Sequence, residues 1–395
     1  MPNEVKHILQ KITSKAGWQN GLVTKQSLNQ QTSDKFSFQF YIANNAFNDV
    51  SLNLDAIYFN HTNTVIYIKT LKDYNPAEII ELQKRFWNEC RTPLTLIITP
   101  QVIKILDNYA KPASNATRIK DIELDEFSTT DEGLERLANL LKQSKLDSEQ
   151  VLGYTLKLNT EQRVDKKLIS QLRVSRKQLH DKYKLDFSTI HDLLGRSLFT
   201  LYLEQRDILT KEDIKLETKV SDSFFDLLQN YPTETYTLFR FLKEKFNGDL
   251  FPITPKEENA VNQNSKILTL IYECYTYETD LRTGQKSLFN FFDFKHIPIE
   301  LISAIYEEFM SEEDEKKNLI IDRAERGKRE LGAYYTPQML VEFVYNEMLP
   351  MPSENDHNYN IKILDPACGS GIFLVEGFKR IIERWKFSHK QSKLS

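Results

Sequence analysis

The stretch that most constrains this chain lies near its carboxyl end, where residues 361–374 read IKILDPACGSGIFL. A short apolar run over 361–364 ends at Asp365, a loop of small residues contains Gly369 and Gly371, and an apolar helical sequence follows. This order predicts a buried strand, a tight loop and a helix, which together form the first unit of a doubly wound α/β sheet. The two glycines allow the backbone of the loop to approach a ligand closely.

A second motif stands about thirty residues upstream, where residues 332–337 read GAYYTP. Pro337 is expected to open a helix that runs to Met348, because proline is favoured in the first turn of a helix. A polar connection over 351–360 leads to the predicted strand. The helix after the glycine loop is expected to run to about Trp385.

The sequence Asp-Pro-Ala-Cys-Gly-Ser-Gly resembles the S-adenosylmethionine loop of amino-methylating DNA methyltransferases, which carry an Asp/Glu-Pro-x-Cys-Gly-x-Gly pattern there. Gly-Ala-Tyr-Tyr-Thr-Pro resembles the companion motif of gamma-class N6-adenine enzymes. The resemblance implies that residues 319–395 are the truncated start of a Rossmann-like, S-adenosylmethionine-dependent methyltransferase domain. It also implies a partial cofactor site formed by Tyr335, Thr336, Pro337, Asp365, Ala367, Gly369 and Gly371.

Other interpretations of these motifs stay open. Core packing is an equal alternative for the Tyr334 side chain. Cys368 is expected to be a small packing residue, since amino methylation needs no thiol nucleophile. A dinucleotide site fits less well, because Leu374 stands where a third glycine is usual.

Three further segments resemble large restriction–modification enzymes of type IIG. Residues 293–309 are similar to the segment before their methyltransferase domain, residues 191–199 to their helical connector, and residues 85–93, more loosely, to their N-terminal domain. The resemblance thus covers most of the chain, most strongly from about residue 187 onward.

Two features that the resemblance requires are missing from the sequence. N6-adenine methyltransferases carry an Asn/Asp-Pro-Pro-Tyr/Phe loop whose acceptors activate the adenine amine and whose aromatic ring stacks on the flipped base. No Pro-Pro pair occurs in the 395 residues, so no catalytic residue is predicted. An acidic residue for the cofactor ribose is expected about 20 residues after the glycine loop, following a second strand, and is also not found. The chain is therefore expected to be the N-terminal portion of a longer or split enzyme.

Residues 1–150 are predicted to form a small N-terminal α/β domain, either degenerate nuclease-like or regulatory. A short amphipathic helix begins it, and Pro76 is expected to open a helix to about Asn88, followed later by a helix around 131–146. Alternating or continuous apolar runs predict five strands, over residues 36–42, 54–59, 64–69, 93–98 and 102–106. The second and third of them are predicted to form a hairpin.

This domain also offers a nuclease interpretation. In related enzymes it can be a nuclease of the Asp…Glu-x-Lys type, in which two carboxylates hold Mg²⁺ and the lysine assists a water. Asp55 and Lys69 fit that pattern, but Tyr67 stands where the second carboxylate belongs. Because a neutral phenol does not replace an anionic ligand, Mg²⁺ binding and cleavage are not expected. Lys69 is instead expected to snorkel from a hairpin to the surface.

Residues 151–318 are predicted to form a helical connector domain, and the charged run at 312–317 a solvated linker. Helices are predicted by apolar spacing from residue 164 to beyond residue 172 and over 191–203, 221–246, 261–278 and 298–310.

Positive charge is concentrated at the start of this domain, and a second short basic group covers 323–329. The residues predicted to contact DNA phosphates are Arg163, Lys166, Lys167, Arg173, Arg176 and Lys177. A solvated helix face is an equally good interpretation of them.

The composition limits the remaining possibilities. With 52 basic and 56 acidic residues, the chain as a whole has no excess positive charge that would indicate nucleic-acid binding. Any DNA binding must therefore come from local basic patches. Three scattered cysteines are too few for a disulfide framework. No signal peptide and no apolar run of about 18 residues is present, so a cytoplasmic protein without membrane contact is expected.

Together these patterns predict a multidomain protein of α/β and α class. The predicted function is a truncated or split adenine-specific DNA methyltransferase of a restriction–modification or defence system. When complete, it would transfer a methyl group from S-adenosylmethionine to adenine N6 in double-stranded DNA. A split enzyme implies a second chain with the rest of the methyltransferase and the target-recognition domain. Two alternatives remain, a non-catalytic DNA-binding or assembly subunit and a metal-dependent nuclease.

Overall fold

The structure is a computed structural model. It describes residues 3–28, 37–60, 63–147, 152, 155–246, 252–277, 291–311, 336, 338–353, 356–369 and 371–391. The chain divides into two compact units, one formed by residues 1–163 together with 335–395 and the other by residues 164–334.

A six-stranded sheet organises the first unit. Its strands lie side by side in sequence order and are β1 (Leu22–Thr24), β2 (Ala56–Asn60), β3 (Asn63–Thr70), β4 (Leu94–Ile98), β5 (Val102–Asp107) and β6 (Glu123–Ser128). Neighbouring strands run antiparallel except β3 and β4, which are parallel. A parallel pair needs a crossover connection, and a helix that begins at Pro76 supplies it.

Helices cover both faces of this sheet. The helices of this part are α1 (Asn3–Ala16), α2 (Lys25–Leu28), α3 (Ser37–Asn48), α4 (Pro76–Glu89), α5 (Asp131–Leu140) and α6 (Gln143–Asp147). The alternating side chains of β3 show the layering: Ile66 and Ile68 pack with α1 and α5, whereas Tyr67 packs with α3 and α4. All five residues of β4 are buried, as expected for a central strand covered on both faces.

Most of the predicted elements of this region are present. The hairpin, the helix from Pro76 and the strands near residues 94 and 102 are confirmed. The prediction of a strand over 36–42 is wrong, because residues 37–48 form helix α3. Its buried residues Ile42, Ala43, Ala46 and Phe47 follow helical spacing, and this longer apolar pattern outweighs the short alternation before it. Strand β6 was not predicted, since three of its six residues are exposed and four are acidic or serine.

The second unit is helical in every element that the structure describes. Its helices are α7 (Val164–Tyr183), α8 (Phe187–Gln205), α9 (Lys211–Thr218), α10 (Phe224–Asn230), α11 (Pro232–Lys245), α12 (Pro255–Gln263), α13 (Lys266–Thr276) and α14 (Ile299–Ser311). Side chains of Asp186, Thr210 and Thr254 cap α8, α9 and α12, each by accepting an N–H of the first turn. A buried ion pair between Arg196 and Glu257, at 2.7 Å, joins α8 to α12.

Two helices of the carboxyl-terminal segment complete the first unit, α15 (Gln338–Met348) and α16 (Ile372–Gln391). Both were predicted, although α16 continues past Trp385. Between them Met351 packs in the same apolar cluster as α3 and α4. The predicted linker at 312–317 and the basic group at 323–329 lie outside the described residues.

The predicted buried strand at 361–364 is not found. None of the six strands pairs with this segment, and Leu364 is 87% exposed. Ile361 and Ile363 do pack against the α15–α16 cluster, so one side of the segment is covered and the other is open. A strand requires a neighbour to pair with, and the described part of the chain provides none here. Among the described residues, no helix combines the length and apolarity needed to cross a membrane.

Candidate functional site

The loop between Asp365 and α16 is shaped by its own backbone. The Asp365 carboxylate accepts the N–H of Ala367 at 3.1 Å, and the N–H of Gly371 donates to the carbonyl of Cys368 at 2.7 Å. Gly369 and Gly371 adopt left-handed φ values of +51° and +82°. Residues other than glycine rarely adopt this conformation, so the turn itself explains why glycine stands at both positions.

Among the described residues, the space beside Gly371 is open. Apart from its chain neighbours, a Cβ added there would meet no described atom within 4 Å, so packing against that part of the protein does not explain this glycine. Helix α16 starts at the next residue, and the Val375 N–H already donates to the Gly371 carbonyl. The N–H groups of a first helical turn lack intrahelical partners and favour an anionic group. The loop therefore presents an accessible helix N-terminus.

The predicted cofactor residues fall into two groups. Asp365, Ala367, Gly369 and Gly371 lie together in this surface loop, where Asp365 is half-buried and Ala367 is exposed. Of the upstream motif the structure describes only Thr336, which is half-buried. Tyr335 and Pro337 lie outside the described residues, as does Tyr334. Cys368 is exposed rather than packed, so its expected packing role is not supported.

A glycine that sequence analysis missed sets the position of the loop against its neighbours. Gly377 lies one and a half turns into α16 and is buried. A Cβ there would overlap the side chains of Ile363 and Tyr345. The Tyr345 hydroxyl also donates to the Phe373 carbonyl at 2.8 Å, in the first turn of α16. The signal was available in the sequence, because a glycine inside a helix often marks a close approach.

The predicted DNA-contacting residues do not act as one group. Three of them, Lys166, Arg173 and Lys177, are exposed, and their spacing of seven and four residues places them along one side of α7. Lys167 is half-buried. The Arg176 guanidinium lies over the Phe309 ring at 4.9 Å, and Nη1 is 3.4 Å from the His191 ring.

The remaining predicted residue of this group, Arg163, belongs to the first unit. Its guanidinium lies over the Tyr109 ring at 4.8 Å. A cation in such a contact is at least partly committed to the protein. Three of the six predicted cations, Lys166, Arg173 and Lys177, are therefore exposed along one side of α7.

The nuclease-like residues of the first unit are built into its interior. The Asp55 carboxylate accepts the N–H and the hydroxyl of Thr70, both at 2.8 Å, and lies 3.8 Å from the Lys69 ammonium. Lys69 is only 7% exposed and donates to the Asn53 carbonyl at 2.8 Å. The predicted snorkelling of Lys69 is thus wrong, because its side chain is largely buried and a backbone carbonyl holds its ammonium.

Tyr67 lies on the face of the sheet that α3 and α4 cover. It is completely buried, packs against Phe86, and its hydroxyl donates to a Glu89 oxygen at 2.7 Å. Burial raises the pKa of the Tyr67 phenol well above its usual value, so the group stays neutral. A neutral phenol turned toward α4 offers no anionic oxygen to a cation.

A polar cavity of about 470 Å³ lies beside Asp55 and Lys69. Its walls are formed by Asp55, Lys69, Thr70, Leu71, Lys72, Asp73, Asn75 and Glu78. Within the described ranges, no group of three or more His, Cys, Asp or Glu side chains is placed to hold a metal ion. The cavity therefore adds no support to the nuclease interpretation.

Comparison with known proteins gives one match. Residues 299–395 match the family model described as N-6 DNA Methylase. No curated protein and no solved structure matches the chain. The matched region, about a quarter of the chain, contains α14, α15, α16 and the glycine loop. Members of this family methylate DNA and generally use S-adenosylmethionine. The match supports an N6 DNA methyltransferase family for this part of the protein.

Proposed function

We propose that this protein takes part in adenine-specific DNA methylation in a restriction–modification or defence system, and that it works in the cytoplasm. The reaction is the transfer of a methyl group from S-adenosylmethionine to adenine N6 in duplex DNA. One observation carries the proposal: an accessible loop with two left-handed glycines precedes α16 inside the region that matches N6 methylases. The gamma-class arrangement and the relation to type IIG enzymes belong to the same proposal.

The loop residues divide the recognition of the cofactor among them. The cofactor supplies an electrophilic methyl group on its sulfonium. The N–H groups at the start of α16 would donate hydrogen bonds to its carboxylate, because they lack intrahelical partners. Asp365, Ala367, Gly369 and Gly371 would line its methionine portion, and Tyr335, Thr336 and Pro337 would close over it. The turn that Asp365 forms with Ala367 keeps this surface in shape.

Activation of the adenine amine is not assigned to these residues. The sequence contains no Asn/Asp-Pro-Pro-Tyr/Phe stretch, and that loop supplies acceptors for the amine hydrogens. The proposal therefore gives this chain the cofactor loop and leaves activation of the base to a further polypeptide segment, in the same protein or in a second chain.

A second candidate is a non-catalytic DNA-binding or assembly subunit. The observation that favours it is the exposed row of Lys166, Arg173 and Lys177 on α7. Such a row can neutralise phosphates without reading bases. In the methyltransferase proposal, the same row would help to hold double-stranded DNA.

Titration calorimetry with S-adenosylhomocysteine tests the proposal. We expect weak binding by the wild-type protein, with a Kd above about 10 μM, because only part of the pocket is assigned. Gly371→Val should abolish this binding, since a β-branched residue does not adopt the φ of +82°. Lys362→Ala, on an exposed neighbouring residue, is the matched control and should bind like wild type.

Two outcomes would contradict the proposal. Binding that Gly371→Val leaves unchanged would place the cofactor elsewhere. No heat with the wild-type protein at millimolar ligand would exclude the loop as a cofactor site. For the isolated chain we also expect no incorporation of labelled methyl groups into DNA above background.

A further inference from the structure

Helix α16 has an unusual distribution of polarity. Its inward side contains the charged residues Glu376, Arg380 and Arg384, spaced by four, whereas Leu374 and Phe378 are exposed. Arg380 and Arg384 are 0% and 1% exposed, which is rare for arginine. Burying two guanidinium groups is costly unless each donor finds an acceptor. Their partners therefore show what the burial achieves.

Arg380 joins α16 to the end of α15. Its Nε donates to the Glu376 carboxylate at 2.9 Å, Nη1 to the Leu349 carbonyl at 3.1 Å and Nη2 to the Asn346 side chain at 2.8 Å. The guanidinium also lies over the Tyr345 ring, at 5.6 Å. This is the tyrosine whose hydroxyl holds the first turn of α16.

Arg384, one turn later, holds the chain that leads into the glycine loop. Its Nε and Nη2 donate to the Pro350 carbonyl at 3.1 and 2.7 Å. Nη1 and Nη2 form a two-pronged pair with the Asp356 carboxylate, at 2.8 and 2.9 Å. Nη1 also donates to the Asn358 carbonyl at 3.1 Å. The planar guanidinium thus fixes three points within nine residues.

These contacts act on both sides of the loop. None of the strands in the described part of the chain lies beside the segment at 361–364, so no described sheet fixes where it runs. Backbone carbonyls at 349, 350 and 358 are instead attached to α16, the helix that follows the loop. The chain entering the loop and the helix leaving it are therefore held as one piece. Apolar residues at 380 and 384 would fill the space without attaching these carbonyls.

We propose that Arg380 and Arg384 are positioning residues for the S-adenosylmethionine loop. They fix the distance between Asp365 and the N-terminal amides of α16 and do not touch the cofactor. This inference rests on the proposed function. It assigns to two residues outside the cofactor motifs the task that strand pairing performs in a complete sheet.

The test compares Arg384→Met and Arg384→Lys with the control Lys386→Met, whose exposed side chain lies on the same helix. Hydrogen exchange of the full-length protein is followed by mass spectrometry, and S-adenosylhomocysteine affinity by calorimetry. For Arg384→Met we expect amide exchange over 356–371 to rise and affinity to fall, each by about tenfold, while β3 to β5 stay protected. Arg384→Lys should restore part of both, and Lys386→Met should change neither.

Asp356→Asn provides a second variant should Arg384→Met fail to fold, because Asp356 is half exposed and only one partner of the arginine is altered. The same local rise in exchange is expected. A rise in amide exchange that is uniform throughout the first unit would show a general structural role and overturn the inference. Unchanged exchange over 356–371 would overturn it as well. Wild-type protein that binds no S-adenosylhomocysteine would refute the proposed function instead, and the exchange pattern would still decide whether the arginines hold the loop.

Discussion

Gly377 of α16 and Ile363 of the extended segment approach so closely that a Cβ at position 377 would require a neighbouring side chain to move. A Cβ added to Gly377 would also overlap the Tyr345 hydroxyl, which donates a hydrogen bond to the Phe373 carbonyl. Helix α16, helix α15 and the segment before the loop therefore meet at one glycine. This contact places the candidate cofactor loop, together with the two buried arginines.

We expect Gly377→Ala to destabilise the first unit. Alanine improves helix propensity by about 1 kcal/mol, but overpacking costs about 1–3 kcal/mol. Because the Tyr345 hydroxyl is held by its hydrogen bond, the overlap should prevail with a net loss of about 1 kcal/mol in the free energy of unfolding. Urea denaturation followed by tryptophan fluorescence measures it. Adding Ile363→Ala should recover part of the loss, and a stabilised Gly377→Ala protein would contradict the packing described here.

Tyr67→Glu should not create a nuclease. Because a glutamate side chain is shorter than tyrosine, the new carboxylate would be buried on the same face of the sheet as Glu89, whose oxygen the Tyr67 hydroxyl now contacts at 2.7 Å. Two neighbouring carboxylates in a buried site repel, and burial adds to the cost, so we expect a loss of about 3 kcal/mol or more in the free energy of unfolding. Tyr67→Phe, the control, should lose only about 1 kcal/mol. Plasmid nicking with Mg²⁺ by the wild-type protein would revive the nuclease alternative.

Asp186 predicts a pH dependence in the second unit. The Lys256 ammonium and the Thr189 N–H, both at 2.9 Å, lower the pKa of this carboxyl to about 2. A depressed folded pKa contributes stability above the unfolded value, near 3.8, and this is lost as pH falls toward 2. Asp186→Asn keeps the cap but loses the ion pair, so wild type should be more stable at pH 6 by less than about 1 kcal/mol.

Urea titrations between pH 3 and pH 6 check this dependence. The difference in the free energy of unfolding between wild type and Asp186→Asn should become smaller below about pH 4, where the carboxyl of the unfolded chain binds a proton. Lys256→Gln should reduce the same difference, because it removes the main cause of the lowered pKa. A difference that is constant with pH would show that the carboxyl gains nothing from Lys256.

The exposed row on α7 makes a quantitative prediction about DNA. Replacing Lys166, Arg173 and Lys177 by glutamine should lower affinity for duplex DNA and reduce the slope of log K against log salt by up to about 2.7. Lys211, Lys266 and Lys295, which are exposed elsewhere in the same unit, form the control triple. Equal losses in both triples would indicate general charge attraction, and affinity independent of salt would exclude α7 as a phosphate-binding surface.

Local chemistry made much of this protein predictable. Pro76 and the residues after it define α4 because proline starts a helix and the apolar spacing continues it. The antiparallel pairing of β2 with β3 and the left-handed conformations of Gly369 and Gly371 also follow from nearby residues alone. In these places a few adjacent side chains determine the backbone, so the sequence was enough.

Tertiary contacts decided the rest. Residues 36–42 alternate like a strand, yet packing of the longer apolar pattern makes residues 37–42 enter helix α3. Residues 361–364 were predicted as a strand, but a strand exists only where another backbone pairs with it. Sequence does not show which neighbour a side chain will meet.

The two sides of the candidate site show this difference most clearly. Asp365, Gly369 and Gly371 identified the loop from sequence, because the turn they form is local and chemically specific. No sequence motif marks Arg380 and Arg384, and only the fold places them against the carbonyls of 349–358. The sequence by itself determined the shape of the loop. The tertiary structure alone decided what holds it, because those bonds join residues about 25 to 35 positions apart.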